Sequence, residues 1–447
     1  MESTTKYTHR HLARFIIEAV TPLAIGSGQS DIFSDALVAR DVNGLPYIPG
    51  SSLAGVVRSM CCSEEADMIF GYHDKQGGEG SKIIFSEAKI LNSEGKVLDG
   101  LLDIENEDDT IVRMCRHLPI RQHVKIGVNG TGEKAGKFNE EVVYKGMRFC
   151  FEIEYLSSDA QSLEFDRILS ILQSQSLRIG GGTRSGFGDV KVVDLKTATL
   201  VLTNVEDLKL YLAKSSDLNA NWAGWKDASV NITKSGGWHE YKLLLKPRDF
   251  FLFASGLGDS EADITPVKET VIKWEEGEVA TVVDNMVLIP ATSIKGALSH
   301  RVAYHWNKKN LLFIGNPEVK TGEENEAVQA LFGYQSQTDI KRGNVLFSDM
   351  YLSDNFLEDK VQHHVKIDRF TGGAMSGALF QEKVVYGPDS SLNTTIYVSK
   401  NIADEYIDVF ESALRDVAMG LLPLGGTVNR GHGIFIGTIV KNGEPLN

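Results

Sequence analysis

The sequence predicts an α+β protein made of two tandem ferredoxin-like domains, each with a long hairpin inserted between its strands. Three observations support this fold class. The chain has 447 residues, which allows two to four domains of ordinary size. Short motifs in the first half recur in the same order in the second. In each half, the apolar patterns give the order β-α-β, insertion, β-α-β.

Composition excludes several classes of protein. Hydrophobic residues make up 42% and charged residues 24% of the chain, which excludes a disordered chain. The net charge of -14 argues against a protein that simply coats nucleic acid, although local basic grooves remain compatible with it. The four cysteines form no C-x-x-C pair, which predicts reduced thiols and a cytoplasmic location. No segment approaches the roughly 18–20 apolar residues of a membrane span.

The internal repeat is the strongest signal in the sequence. Six motifs recur at offsets of 241 to 262 residues, which indicates two duplicated domains rather than a solenoid. We place the domains at 1-214 and 239-447, joined by a polar linker at 215-238. The six motif pairs begin at Ile48 and Ile289, Ile69 and Leu331, Ile84 and Leu346, His123 and His364, Val142 and Val384, and Gly181 and Gly425.

Local patterns place the elements of each half. Clustered β-branched and aromatic residues predict the strands, while apolar residues at helical spacing predict the helices. Ser51 and Ser52, like Thr292 and Ser293, stand where a helix N-cap is expected. Predicted strands span 11–24, 83–91, 148–155 and 190–193 in the first half and 345–352 and 434–440 in the second; predicted helices span 53–60, 163–177, 294–306 and 403–421.

A glycine-rich loop precedes the last strand of each half. Glycines let a backbone approach a ligand closely, and an arginine in each loop could bind phosphate. The loops lack the Gly-Lys-Ser/Thr of a Walker motif, and a tight helix-to-strand turn is the structural alternative. Repetition of the loop favours contact with a phosphate backbone. The candidate residues are Gly181, Gly182, Arg184 and Ser185 in the first loop and Gly425, Gly426, Thr427 and Arg430 in the second.

Two further features predict contact with a polyanion. The first is the start of the helix after each Ile-Pro motif, where free N–H groups and nearby basic residues could bind phosphate. The second is a glycine-containing basic hairpin between residues 121 and 148, with six Lys/Arg against three Glu, and its copy near Lys366. The alternatives are ordinary N-capping and a solvated loop. The candidates are Ser51, Ser52, Arg58, Lys125, Thr292, Ser293, Lys295, Arg301 and Lys366.

The loop after the first strand of each half contains carboxylates. Asp35 and Asp263 head similar local patterns, and a carboxylate near an RNA phosphate can bind Mg²⁺ or position a 2′-OH. Asp263 lies 27 residues before Pro290, against 14 between Asp35 and Pro49. Either a hairpin is inserted in the second half, or Asp259 or Asp284 is the true counterpart of Asp35.

Together these motifs resemble the RAMP superfamily of CRISPR-associated proteins, and more narrowly the backbone subunits of type III effector complexes. The order is a glycine-containing loop with Asp35, then Ile-Pro-Gly-Ser-Ser-Leu, Phe-Gly-Tyr, Phe-Ser-Glu, His-Val-Lys-Ile and Gly-Gly-Gly-Thr-Arg-Ser-Gly-Phe-Gly. The resemblance covers nearly the whole chain twice, as in a tandem fusion of two such subunits in III-D-like systems.

The resemblance implies an RRM-like fold in each half, with a thumb hairpin at about 120-147 and about 361-386. It implies guide RNA held by the glycine loops and helix starts, and other CRISPR-associated backbone subunits as neighbours. It also implies Mg²⁺-dependent cleavage of a complementary target RNA, with Asp35 and Asp263 as catalytic and metal-binding residues and the 2′-OH of the target as nucleophile. The family's helix-start lysine corresponds to Lys295 in the second half but to Ala54 in the first.

Two other functions remain open at this stage. The chain could be an RNA-binding scaffold without nuclease activity, because one carboxylate per domain leaves most metal ligands to RNA and water. It could instead be a stand-alone enzyme that cuts repeat transcripts with a histidine general base. His123 and His364 are the candidates for that base, although their place inside matching strands favours a structural role.

Overall fold

The computed structural model describes residues 7–74, 77–127, 131–233, 236–275, 279–335, 339–352, 357–387 and 390–446, without the side chains of residues 134 and 135. None of the helices within these ranges is long and apolar enough to span a bilayer.

The first domain and the segment that follows it contain eleven strands and five helices within the described ranges. They are β1 His9–Ala19, β2 Tyr47–Ile48, α1 Gly50–Ser59, α2 Ser63–Phe70, β3 Tyr72–Asp74, β4 Gly77–Glu79, β5 Ile83–Phe85, β6 Ala88–Ile90, α3 Thr110–Cys115, β7 Ile120–Ile126, β8 Gly132–Glu141, β9 Arg148–Ser157, α4 Leu163–Leu172, β10 Val190–Val201, α5 Val205–Leu212 and β11 Lys226–Asp227.

The second domain repeats the principal strands and helices in this order, adds one long hairpin, and has no counterpart of α3 or α5 within its described residues. Its described elements are β12 Trp238–Pro247, β13 Lys268–Trp274, β14 Ala280–Ile289, α6 Ala291–Lys309, α7 Glu326–Phe332, β15 Gly333–Gln335, β16 Ile340–Arg342, β17 Val345–Leu346, β18 Met350–Leu352, β19 Glu358–Ile367, β20 Ala374–Tyr386, β21 Leu392–Ser399, α8 Asp404–Ala418, β22 Phe435–Lys441 and β23 Glu444–Pro445.

Both domains have the ferredoxin-like strand order, which confirms the predicted fold class. In the first, β10, β1, β9 and β5 are antiparallel neighbours in that order. In the second, β22, β12, β21 and β17 take the same places. Each sheet therefore places its first strand at the centre, so the loop that follows this strand emerges beside the glycine loop before the last strand.

The helices bury one face against each sheet. Leu53 of α1 and Ile168 of α4 lie in the first core, and Leu298 of α6 and Phe410 of α8 lie in the second. α4 and α8 end at Leu172 and Ala418, earlier than predicted.

The structure corrects the predicted N-caps. Pro49 and Pro290 are the N-cap residues of α1 and α6, and neither helix has a side-chain capping bond. Ser51, Ser52, Thr292 and Ser293 lie inside the first turn, because a proline in extended conformation immediately precedes each helix.

Each domain carries a two-stranded thumb. The first thumb is β7 with β8, and the second thumb is β19 with β20. The segment between the domains contains β11, and its Trp222 is buried against Leu12 and Ala198 of the first domain.

Candidate nucleic-acid interface

Asp35 and Asp263 stand at equivalent positions at the bases of the two thumbs. The Asn139 N–H donates to Asp35 Oδ2 at 2.8 Å, and the Asp35 N–H donates to the Asn139 carbonyl at 2.8 Å. Asp263 exchanges the same two bonds with Gln381, at 2.8 and 2.9 Å. Both aspartates are exposed. Each carboxylate is therefore oriented by the returning strand of its thumb and remains open to a ligand.

The spacing difference in the second half comes from an inserted hairpin. The Ala39 N–H donates to Ile25 in the first domain, and the Val267 N–H donates to Phe253 in the second, so both loops return to the sheet in one register. β13 and β14 follow this point as a longer hairpin than the first domain has there. The structure thus pairs Asp263 with Asp35.

The rival aspartates have other positions. Asp259 accepts two N–H bonds from residues that follow it in its turn, as Asp31 does in the first domain. Its hydrogen bonds with Lys383 and with those N–H groups lower the pKa of Asp259 to about 2. Asp284 accepts a bond from the Thr270 hydroxyl at 2.7 Å within the β13–β14 hairpin.

A groove of about 810 Å³ lies where the two domains meet. Ser52, Gly181 and Arg184 line it from the first domain, so the structure brings three predicted RNA-binding residues together. Arg342 lines it from the second domain. The described lining contains four arginines and no carboxylate.

The positive charges at this groove are concentrated. Arg184 donates to the Gly343 carbonyl at 2.8 Å, and Arg342 donates to the Thr183 hydroxyl at 3.2 Å. Burial, Arg342 and Arg178 lower the pKa of Arg184 to about 10. Burial and then Arg184 lower the pKa of Lys295, against a weaker opposing effect of Glu323. Like charges held this close are stabilised by an anion.

Arg342 was missed by the sequence analysis, since the first half has Gly80 at the matching place after its Phe-Gly-Tyr motif. Arg178 was also missed. It lies beside Asp189 at 3.0 Å and therefore adds less free charge than Arg184 or Arg342. The Lys341-Arg342 pair was the available signal, and its position on the groove depends on the domain arrangement.

The two glycine loops align one residue differently from the sequence motif. Gly180 and Gly425 share a positive φ, +92° and +95°, and Gly181 and Gly426 each donate their N–H back to the first loop of their domain at 2.7 Å. Gly182 therefore corresponds to Thr427, which also has a positive φ. It follows that Arg184 and Arg430 are not equivalent, and that Gly181 and Gly426 use their N–H groups to shape the loops.

Arg430 is engaged within the second domain. It forms an ion pair with the fully buried Glu382, and both His364 and His432 also reach that carboxylate. In the first thumb, His123 Nε2 lies 2.9 Å from Glu140. Both candidate histidine bases therefore contact a glutamate within their own thumb. They lie on the outgoing strand of the thumb, whereas the returning strand contacts the exposed aspartate.

The other predicted residues are dispersed. Arg58 contacts Asp67 at 3.1 Å on the surface, and Arg301 is paired with Asp416 on α8. Lys125 lies 3.1 Å from Glu323 of the second domain. The remaining candidates divide between half-buried Ser185, Thr292 and Ser293 and exposed Ser51 and Lys366.

Arg121 of the first thumb forms a buried joint with the second domain. Its guanidinium lies 3.0 Å from Asp349, donates to Glu269 at 2.8 Å and donates to the Tyr351 hydroxyl at 3.1 Å. Asp349 in turn accepts the Ala291 N–H at the start of α6, at 2.8 Å. Arg121 belongs to the hairpin that the sequence suggested for polyanion contact, and it is instead paired with carboxylates of the second domain.

Comparison with known proteins agrees with this architecture. The RAMP superfamily model matches residues 16–191 and 269–436. The CRISPR system Cms endoribonuclease Csm3 of Methanocaldococcus jannaschii is 30% identical over 209 residues, which cover 40% of this chain and 77% of that protein. The two matched regions coincide with the two ferredoxin-like domains. The chain therefore belongs to the RAMP superfamily, as the sequence motifs indicated, and contains the family's domain twice in tandem.

Proposed function

We propose that the chain is a backbone subunit of a type III CRISPR effector complex and binds guide RNA at the junction of its domains. The observation that carries this proposal is the groove lined by Arg184 and Arg342, with Lys295 close by and no carboxylate in its described lining. One guanidinium group can donate hydrogen bonds to two oxygens of the same phosphate. The RNA backbone supplies one phosphate per nucleotide. The relative's name, which places it in a CRISPR system, supports the assignment to such a complex.

Within this complex, the chain would cleave complementary target RNA at Asp35 and Asp263. Each carboxylate has one oxygen engaged by a backbone N–H, which leaves hard oxygen donors for a hydrated Mg²⁺ ion shared with an RNA phosphate. A bound ion would stabilise the charge that develops on the phosphate as the 2′-OH attacks. The relative's name includes the word endoribonuclease, which supports this activity.

A guide-binding scaffold without cleavage is the second candidate. It is favoured by one observation: in the part of the chain that the structure describes, no group of three or more His, Cys, Asp or Glu side chains could hold a metal ion. Both candidates require the same groove, and they differ only at the two aspartates.

The test is a denaturing gel of end-labelled target RNA incubated with the guide-loaded complex, in Mg²⁺ or in EDTA. The parent is compared with Asp35→Ala, Asp263→Ala, the double variant and the matched control Asp284→Ala. Loss of one Mg²⁺-dependent product with each single variant supports the nuclease. If cleavage depends on neither residue, the guide-binding scaffold remains as the function of this chain. Metal-free cutting of a repeat hairpin by the isolated chain would support the processing enzyme instead.

A further inference from the structure

The first domain has two exposed apolar side chains on the turn that leads into Asp35. Ile32 is 95% exposed and Phe33 is 72% exposed. The residues just before them, 29–31, are polar and exposed as well. Folding therefore buries neither apolar side chain, which leaves both available to a ligand at Asp35.

This turn is held in one shape next to the carboxylate. Asp31 Oδ1 accepts the N–H groups of Phe33 and Ser34, at 2.8 and 2.7 Å. The Phe33 carbonyl accepts a bond from the side-chain amide of Asn139 at 3.3 Å. The N–H of this same Asn139 orients the carboxylate of Asp35. One residue of the first thumb thus fixes both the turn and the aspartate.

The second domain has the same turn with different side chains. Asp259 accepts the N–H groups of Glu261 and Ala262, at 2.8 and 2.9 Å, so Glu261 stands at the place of Phe33. The carboxylate of Glu261 lies 2.7 Å from the Lys383 ammonium group at the base of the second thumb. The second turn therefore presents a paired carboxylate where the first presents a phenyl ring.

The first thumb has no such cation for its turn. The residue at the place of Lys383 is Glu141. Glu141 is instead paired with Arg40 at 2.7 Å and accepts the Val38 N–H at 2.9 Å. The two turns therefore differ in their side chains and in the thumb residue beside them, so the two sites offer an RNA different contacts.

Cleavage by a 2′-OH depends on how one nucleotide is held. The 2′-oxygen bonds to phosphorus while the bond from phosphorus to the 5′-oxygen breaks; the 2′-OH loses its proton and the 5′-oxygen gains one. The attacking and leaving oxygens must lie in line with the phosphorus atom. A base that stacks on an aromatic side chain fixes the ribose attached to it, which favours such an arrangement.

We propose that Phe33 is a specificity-determining residue of the first site and stacks on a target-RNA base beside the phosphate that is cleaved there. Stacking on an aromatic ring suits any base, because every base has a π-face. Phe33 and Ile32 match the size of one base, whereas a stable protein interface covers about 800 Å² on each partner. The second site lacks this contact. This inference rests on the proposed function, since it concerns the reaction at Asp35.

The first test measures the rates of the two Mg²⁺-dependent products of the guide-loaded complex. Loss of one stacked base should make Phe33→Ala form the Asp35-dependent product about tenfold more slowly and leave the Asp263-dependent product unchanged. Phe33→Tyr keeps the ring and should keep the rate of the parent. The matched control is Phe313→Ala, which removes a phenyl ring that is 64% exposed in the loop between α6 and α7 and should change neither product.

The second test needs no cleavage. In EDTA, the dissociation rate of target RNA is measured for the parent and for Phe33→Ala, with an abasic nucleotide placed at each target position in turn. At the position whose base stacks on Phe33, the effects of the abasic nucleotide and of Phe33→Ala should not add, because each change removes the same contact. At the other positions the two effects should add.

The outcomes separate this inference from the proposed function. Equal rates of the first product in the parent and in Phe33→Ala would overturn the inference, and so would additive effects at every target position. A loss in Phe33→Tyr as large as that in Phe33→Ala would exclude ring stacking as the contact. If the parent forms no product that depends on Asp35, the proposed nuclease fails, and the dissociation rates alone decide whether Phe33 contacts a base.

Discussion

Asp35 and Asp263 each accept a backbone N–H at 2.8 Å from the returning strand of their own thumb. The thumb base therefore fixes the direction of each carboxylate, while its exposure leaves it available to RNA and a cation. This relationship identifies the second-half counterpart of Asp35 through strand pairing, whereas counting residues to the proline of the Ile-Pro motif leaves three candidates.

The variant Asp259→Asn should retain both cleavage products of the guide-loaded complex, because Asp259 matches the turn residue Asp31 rather than Asp35. It should instead change acid stability. A carboxyl pKa lowered to about 2 contributes stability above its unfolded value of about 3.9 that is lost as the pH falls toward 2. Denaturant titrations between about pH 5 and pH 2 should therefore show a weaker pH dependence in the variant.

Asp263→Ala is the matched control for this experiment. It should remove one cleavage product and leave the acid dependence that Asp259 causes unchanged. A loss of cleavage in Asp259→Asn at neutral pH, with the variant folded and guide-bound, would contradict the turn assignment.

Lys295→Gln should stabilise the RNA-free chain and weaken guide binding. Burial and Arg184 lower the pKa of Lys295, so its ammonium group opposes folding unless an anion is present. A base with a lowered folded pKa makes stability rise as the pH increases toward its ordinary value of 10.5, and the variant should lose this rise. Losing one phosphate contact should also reduce the log–log salt slope of guide affinity by about 0.7.

Lys308→Gln provides the control for that variant. Lys308 is exposed at the other end of α6. Its replacement should leave the salt slope unchanged and should change the free energy of unfolding by no more than about 0.5 kcal/mol. An unchanged slope in Lys295→Gln, measured by filter binding over a range of salt, would show that Lys295 makes no phosphate contact.

Adjacent glycines of the first loop should respond differently to alanine. At Gly180, φ is +92° and a Cβ would lie 2.6 Å from the Ala24 carbonyl oxygen, so Gly180→Ala should cost about 1–3 kcal/mol or more in the free energy of unfolding. At Gly181 the same oxygen is 3.4 Å away, so the fold should survive. Gly181→Ala should mainly weaken guide binding, since its methyl group would enter the groove. Equal destabilisation of both variants in urea titrations would contradict this distinction.

Most of the fold could be predicted from the sequence because the chain contains the same domain twice. Two copies of one element order, with strands and helices marked by their own periodicities, define two ferredoxin-like domains. The catalytic role of Asp35 was drawn from the family resemblance and stays a prediction. The glycine loops were misaligned by one residue because three consecutive glycines allow two registers. The positive φ shared by Gly180 and Gly425 and the matching N–H bonds of Gly181 and Gly426 select between them.

The groove and the joint depend on tertiary arrangement. Arg342 has no basic counterpart in the first half, and its approach to Arg184 follows from how the domains dock. Arg121 belongs to a basic, glycine-containing hairpin whose composition is typical of a solvated surface. Its burial follows from the acidic residues that meet it across the domain boundary, more than 140 positions away in the chain.

Arg121→Gln should strongly weaken the joint between the domains. It would leave Asp349, whose side chain is 1% exposed, beside Glu269 without a cation, and removal of one partner from a buried pair costs about 3–5 kcal/mol. Burial raises the pKa of Asp349 even in the parent, so protonation should relieve the variant, and its deficit in stability should shrink as the pH falls. Urea titrations of the parent and the variant at several pH values measure both effects.

The double variant Arg121→Gln with Tyr351→Lys should recover part of this loss. The double variant moves the positive charge from the first thumb to position 351 of the second domain. It thereby copies the arrangement in which Lys89 neutralises Glu87 and Asp41 within the first domain. Arg121→Lys is the comparison that keeps the charge but loses the paired geometry. If Tyr351→Lys further lowers the stability that Arg121→Gln has reduced, a positive charge stabilises the joint only from the thumb side. A lysine at position 351 would then not act as Lys89 does in the first domain.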